Sequence, residues 1–472
     1  EAAADGRIRL DDDLRRLYAD WSARPENRPN EGTWGNWPMH YPEMPVSSDL
    51  ISAHAKTADV AVVILGRAAG EDRENTLEKG SYYLTDEERA LLDAVTAAFR
   101  KTAVVLDCGN IIDMAWVPAY GDKISAVLYA WQGGMESGHA LADVLTGAVN
   151  PSGKLPDTIA GTYEDQPTAK NFGAAAYNNY AEDIFVGYRY FETFAPERVL
   201  YPFGFGLSYT TFSVEPASFS YDGGLVTATV TVTNTGACAG REVVQMYAKA
   251  PQGKLGKAAR TLAAFAKTAS LRPGESERVT LTAGEDVFAS YDDSGITGHK
   301  NAFLLEAGTY TFFVGSDVRA TCVAGGFQLV ADKVLRTLQG VCGAEHPFDR
   351  LHAEEKDGRI VPTAEPVPLK DYDLRERILA HLPADVGAPT SNGYRFPDVT
   401  AGRVSLDNFI SDLTDEELEA LTRGEGSLNS SLGTPGNAGV FGGILPALRE
   451  RGVPPVVTND GPAGIRVAYH TA

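Results

Sequence analysis

Three short apolar runs organise the first part of the chain. Val60 to Leu65 is continuous, β-branched at four of its six positions, and stopped by Gly66. Ala103 to Leu106 follows, broken at Gly109-Asn110, and Ala126 to Ala130 is the third. Such runs predict strands buried on both faces of a parallel sheet. Between them the period lengthens. Thr85 with Glu88 three residues on reads as a capping box, and Leu91, Leu92, Val95 and Phe99 continue it as a helix. A second helix runs through Leu141, Val144 and Leu145. Strand and helix alternating over short connections predict right-handed βαβ units. The loops after the three strands carry Glu71, Asp113 and Glu136 and are expected along one edge of the sheet.

Past the turn Asn150-Pro151-Ser152-Gly153 comes a loop-rich passage ending in Y-P-F-G-F-G-L-S-Y-T, whose glycines and aromatics predict packing against another domain. Then the period drops to two. Val226, Ala228, Val230 and Val232 alternate with Thr227, Thr229, Thr231 and Thr233, and similar segments recur at Glu242–Ala248, Arg278–Thr282 and Thr309–Val314. About seven strands in this span predict an immunoglobulin-like β-sandwich with no catalytic constellation. Residues 331–400 are charged, contain proline and show little periodicity, as a connector does. A second capping box, Thr414 and Glu417, precedes Leu418 and Leu421, and Val453–Thr458 reads as a strand leading into N-D-G-P-A-G-I-R. The expected division is therefore 1–213, 214–330, 331–400 and 401–472: an α/β sandwich domain, a β-sandwich, a connector and the start of a (β/α) barrel.

Composition narrows the function. The 472 residues are 43% hydrophobic and 9% aromatic, which is globular, and length allows about two to four domains. A net charge of −21 argues against nucleic acid and anionic membranes, which need a basic footprint. No run of eighteen apolar residues suggests a membrane span. Cys108, Cys238, Cys322 and Cys342 are far apart, lack metal-ligand spacing, and read as reduced, buried thiols. With no signal-like N-terminal core, the bacterial cytoplasm is the expected compartment, although the chain does not begin with methionine.

Candidate chemistry sits at strand ends. Glu71, Asp72, Arg73 and Glu74 follow the first strand directly, where open α/β sheets present groups to a crevice. Three carboxylates around one arginine can fix a carboxyl's orientation and pKa; charge pattern alone favours a solvated, self-paired loop. Asp460 ends the Val453–Thr458 strand, at the face where a barrel keeps its functional groups, though Asp-Gly-Pro is also a turn. Trp21, Trp34 and Trp37 cluster near the start beside a charged helix, Leu10 to Trp21, and suit core packing better than sugar stacking. A nucleotide site after the first strand is disfavoured, because the loop lacks G-x-G-x-x-G and a Walker lysine and presents acids instead.

The segments G-R-A-A-G-E-D-R-E-N, G-N-I-I-D-M-A-W-V, W-Q-G-G-M-E-S-G, N-P-S-G-K-L-P-D-T, E-D-I-F-V-G-Y-R-Y-F, Y-P-F-G-F-G-L-S-Y-T and N-D-G-P-A-G-I-R, in this order, span most of the chain. Together they resemble glycoside hydrolase family 3, in the arrangement where the barrel follows the α/β sandwich and fibronectin type III-like domains. The resemblance implies a retaining β-glucosidase working through two carboxyl groups about 5–5.5 Å apart. It implies Glu71 as acid/base, with Glu74 as the fallback, Asp72 and Arg73 as a supporting ion pair, and Asp460 binding sugar hydroxyls of the −1 subsite. The implied partner is a β-glucoside or oligosaccharide, with no cofactor and no metal; a homo-oligomer stays open. The family's nucleophile lies in a segment like S-D-W beyond the D-G-P motif, which this sequence does not contain. The expectation is a chain cut at both ends and inactive alone. A β-xylosidase of the same family and a non-catalytic carbohydrate-binding scaffold remain alternatives; a β-N-acetylglucosaminidase is disfavoured by the α/β sandwich domain.

Overall fold

The computed structural model describes residues 3–27, 38–68, 75–173, 176–426, 429–461, 465–467 and 470–471. It divides into two compact units, Glu1–Asp371 and Tyr372–Ala472.

The first unit opens with helix α1, Asp12–Ser22, capped by Asp11, and α2, Ser48–His54, capped by Ser47. Strands β1, Ala61–Arg67, β2, Thr102–Cys108, and β3, Ala126–Tyr129, form a parallel sheet in the order β1-β2-β3. Helices α3, Asp86–Ala98, α4, Trp116–Tyr120, and α5, Ser137–Leu145, connect or follow them. Val63, Leu65, Val104, Leu106, Leu92 and Trp116 form the core of this layer. Burial on both faces holds for the central strand β2, whose Val104, Val105 and Leu106 are inaccessible. It does not hold for β1. An outer strand among the described residues, it leaves Val62 and Ile64 exposed and buries Val63, Leu65 and Arg67.

The β-sandwich has the predicted alternation. A three-stranded sheet, Ser276–Gly284, Leu225–Asn234 and Phe212–Asp222, shares one core with a four-stranded sheet, Thr321–Leu329, Gly308–Gly315, Val243–Lys249 and Thr261–Lys267. Val226, Ala228, Val230 and Val232 point into that core, with Met246 and Phe312 from the other sheet. The aromatic-glycine passage packs against it as expected. Tyr188 stacks on Phe203 at 4.5 Å, Val318 N donates to Phe203 O, and Gln245 Nε2 donates to Gly204 O. Gly204 has φ +78°, a left-handed conformation that favours glycine where the passage meets Gln245.

Within 331–400 the backbone is more regular than the sequence pattern suggests. Lys333–Thr337 joins a small sheet, and Asp349–Lys356 pairs antiparallel with Arg359–Pro366. Arg350 fixes this hairpin by a bidentate bond to Asp293, 2.6 and 2.9 Å, and by a single bond from Nε to Glu365 at 2.7 Å. Charged residues that pair across strands carry no apolar period, which is why the hairpin was invisible to hydrophobic patterning. The cysteines also depart from expectation. All four are free, but only Cys108 is buried; Cys238, Cys322 and Cys342 are exposed. Trp21 is half-buried on a helix with no buried residue, and Trp34 and Trp37 lie outside the described residues.

The second unit holds short helices, among them Leu406–Ser411 and Asp415–Arg423, around Phe409, Leu413, Ala420 and Leu448. Its Pro455–Thr458 strand pairs antiparallel with Gly439–Gly442.

Candidate functional site

The carboxyl edge of the parallel sheet is built around Arg67, the last residue of β1. Its side chain is buried and uses all five N–H donors. Nη1 reaches Glu88 Oε1 at 2.5 Å and Gly66 O at 2.8 Å; Nη2 reaches Glu88 Oε2 at 2.8 Å and Tyr83 O at 3.3 Å; Nε donates to Ser81 O at 3.0 Å. Glu88 is the capping-box residue of α3. Its carboxylate also accepts from Thr85 N at 2.8 Å, while Thr85 Oγ1 accepts from Glu88 N at 3.0 Å. One carboxylate thus caps the helix and neutralises the arginine, so a charge pair is buried without leaving donors unmet. Ala68 N donates to Met39 O at 2.7 Å, which fixes the chain as it leaves the strand.

Glu71, Asp72, Arg73 and Glu74 lie outside the described residues. The chain is described again from Asn75, and there it is tied on several sides. Asn75 Nδ2 donates to Ile111 O at 3.3 Å; Asn75 Oδ1 accepts from Asn110 Nδ2 at 3.2 Å and from Ser81 Oγ at 3.4 Å. Asn110 belongs to the loop leaving β2. Its carbonyl accepts from the hydroxyl of Tyr129, the last residue of β3, and that hydroxyl accepts from Ile112 N at 3.2 Å. Burial pushes the Tyr129 phenol well above its usual range, so it stays a neutral donor. Trp131, with φ +58°, rests its ring 4.4 Å from that of Tyr129.

The other expected edge groups are present. Asp113 is half-buried at the exit of β2 and accepts from Ala115 N at 3.0 Å at the start of α4. Glu136 is exposed at the start of α5 and pairs with His139 at 2.5 Å. Glu43 is a group that patterning missed. It is half-buried beside the Arg67–Glu88 pair, and its carboxyl is raised to about 7 by burial, reinforced by Glu88 and opposed by Arg67. Cys108, at the end of β2, is pushed up to about 12 by burial and is chemically quiet.

In the second unit Asp460 is exposed, just past the Pro455–Thr458 strand, where Thr458 Oγ1 donates to Gly439 O at 2.9 Å. The strand-end placement is as the sequence suggests. Pro462 to Gly464, the rest of its motif, lie outside the described residues. Among the described residues no group of three or more His, Cys, Asp and Glu has metal-binding geometry. Sequence reasoning picked the loop; it missed the residues that hold it. A strand ending in arginine before a capping box was the available signal for Arg67 and Glu88.

The profile of the glycosyl hydrolase family 3 C-terminal domain matches residues 18–209, and that of the fibronectin type III-like domain matches residues 242–318. A beta-glucosidase of Ruminococcus albus is 44% identical over 98% of this chain and 48% of its own length. Beta-glucosidase A of Butyrivibrio fibrisolvens is 37% identical over 90% of this chain and 57% of its own. A beta-glucosidase structure from Paenibacillus barengoltzii superposes with a TM-score of 0.95 at 43% identity, covering 98% of this chain and 51% of that one. The chain therefore spans about half the length of the curated relatives it matches.

Proposed function

The chain belongs to glycoside hydrolase family 3, and from that premise we propose that it is part of a β-glucosidase that releases terminal β-D-glucosyl residues with retention. The observation that carries this reading is the likeness of nearly the whole chain, across both sandwich layers, to proteins named beta-glucosidases. Glu71 is the acid/base. It gives its proton to the glycosidic oxygen as the bond to the anomeric carbon breaks, and takes one from water when the glycosyl-enzyme is hydrolysed. Glu74 is the fallback for that role. Asp72 and Arg73 hold the segment by an ion pair. Asp460 accepts hydrogen bonds from sugar hydroxyls, and a charged acceptor makes these about twice as strong as neutral ones. The nucleophile is supplied from outside these 472 residues.

The test is an aryl β-glucoside assay on the full-length gene product, with and without Glu71→Gln. Loss of the acid lowers turnover of a poor leaving group by about 10²–10⁴-fold. Equal activity in the two proteins removes Glu71 from the mechanism. No hydrolysis of any aryl β-glycoside by the folded parent protein removes the enzyme reading.

A further inference from the structure

A cavity of about 320 Å³ opens where four pieces of the first unit meet. They are the chain at Asp183 and Arg189, the connection from Ala248 to Thr261, the stretch from Val287 to Asp293, and Arg350 of the 349–366 hairpin. The volume lies at the lower end of the range of small-molecule sites, about 300–1,000 Å³. Space is left because Ala248, Ala250 and Ala258 bring only methyl groups to the lining, where longer side chains would fill it. Tyr291 and Phe303 supply an aromatic wall, their ring centres 4.9 Å apart, and the Tyr291 hydroxyl donates to Asn301 Oδ1 at 3.3 Å.

Several charges in the lining are already matched. Lys257 Nζ meets Glu306 at 2.5 Å, and Arg350 meets Asp293 at 2.6 and 2.9 Å and Glu365 at 2.7 Å. Two are matched poorly. The Asp183 carboxylate stands 3.9 Å from Arg350, beyond hydrogen-bonding reach. Burial raises this carboxyl above its ordinary value against the pull of Arg350, so its negative charge is incompletely met. Arg189 has no carboxylate partner among the described residues, and its guanidinium lies 6.0 Å from the centre of the Tyr188 ring. The hydroxyls of Thr261 and Ser290, also in the lining, have no hydrogen-bond partner among the described residues. What remains open is therefore one acid, one base and two hydroxyls beside an aromatic wall. A neutral polyhydroxylated ring suits that set. Its hydroxyls donate to the carboxylate and accept from the guanidinium, bonds that charge strengthens, while its C–H surface meets the aromatic rings. An anion would be set against Asp183, and a cation against Arg189.

We propose that this cavity binds one neutral hexopyranose, held by Asp183 and Arg189 against Tyr291 and Phe303. The choice of glucose as probe rests on the β-glucosidase reading; the site rests on the cavity and its open polar groups. Hydrogen exchange of the full-length gene product, read by mass spectrometry, locates the binding. Glucose slows exchange in peptides covering 255–261 and 286–293, and the protection saturates with dose. Asp183→Asn suits the φ of +49° at this position and removes the charge. It raises the glucose concentration for half-protection about tenfold, as does Arg189→Ala. Arg189 has no ion pair to lose, so its variant carries the test if Asp183→Asn does not fold. No protection in the parent, or equal protection in the parent and in variants of parental Tm, overturns the proposal. Protection by acetate or methylammonium in place of glucose overturns it as well, because the cavity would then select charge. A folded full-length protein that hydrolyses no aryl β-glycoside but keeps this protection loses the enzyme reading and keeps the site. Hydrolysis without the protection does the reverse.

Discussion

Two arginines, one in each unit, are bound by the same local device and differ in what surrounds them. Arg67 meets Glu88, the capping-box glutamate of Thr85; Arg451 meets Glu417, the capping-box glutamate of Thr414, at 2.8 Å. Arg67 faces one carboxylate and three carbonyls, and its side chain is 1% exposed. Arg451 faces two carboxylates, Glu417 and Asp412, and is 20% exposed. The first set is neutral and dry. The second carries an extra negative charge that must be met elsewhere, and Asp412 meets it by accepting from Thr390 Oγ1, Asn392 N and Tyr394 N. A capping glutamate therefore serves two ends: at the sheet edge it secures a strand exit, and in the second unit it ties its helix to Arg451, at the end of the Pro446–Glu450 helix.

The largest effect that follows is at Glu88. Glu88→Gln keeps an oxygen for the helix cap but leaves the Arg67 guanidinium buried without its counter-charge, a loss of about 3–5 kcal/mol. Glu417→Gln leaves Arg451 with Asp412 and partial hydration, a loss of about 1 kcal/mol. Denaturant unfolding of each protein reads both. Similar losses would mean that the exposure and second carboxylate at Arg451 do not matter, and the contrast would fail.

Asp412 comes next. Burial alone would raise its carboxyl, but hydrogen bonds from Thr390, Asn392, Arg451 and Tyr394 outweigh it and hold the group far below the usual carboxylate range. The folded state then binds fewer protons than the unfolded one as pH falls. The stabilisation is complete above the unfolded value near 3.8 and is lost as pH drops toward the lower folded value. Asp412→Asn should cost about 2 kcal/mol at neutral pH and flatten the acid limb of the stability curve. An unchanged acid limb would show that another carboxylate governs it.

The βαβ order, both capping boxes and the two-residue alternation of the β-sandwich were legible because each is a local pattern of apolar spacing or cap chemistry. What was not legible is long-range. The exposed outer face of β1 depends on which strand is outermost, and Val62 and Ile64 read the same as Val104 and Val105 until strand order is known. The 349–366 hairpin is held by Arg350 to Asp293 and Glu365, contacts with no periodic trace. Among the candidate residues, Glu71 and Asp460 stood out through a family resemblance. Asn75, Asn110 and Tyr129 did not, because an asparagine after a charged loop and a tyrosine ending a strand are unremarkable singly and meet only in space.

Glu43 and Asp412 turn the comparison into opposite pH slopes. Glu43 sits beside the neutral Arg67–Glu88 pair, and its carboxyl is raised from 4.5 to about 7, by burial first and by Glu88 next. Here the folded state keeps a proton that the unfolded chain releases. Stability of the first unit from this group is therefore present at low pH and falls as pH rises from about 4.5 to about 7, then levels off. Asp412 gives the second unit the reverse slope at lower pH. Glu43→Gln removes the titration and should leave the first unit's Tm nearly level across that interval, with the gain over the parent greatest at and above pH 7. A parent protein whose first unit gains stability from pH 5 to 7 would mean that Glu43 is ionised in the fold, and that the surroundings of Arg67 are less dry than their hydrogen bonds indicate.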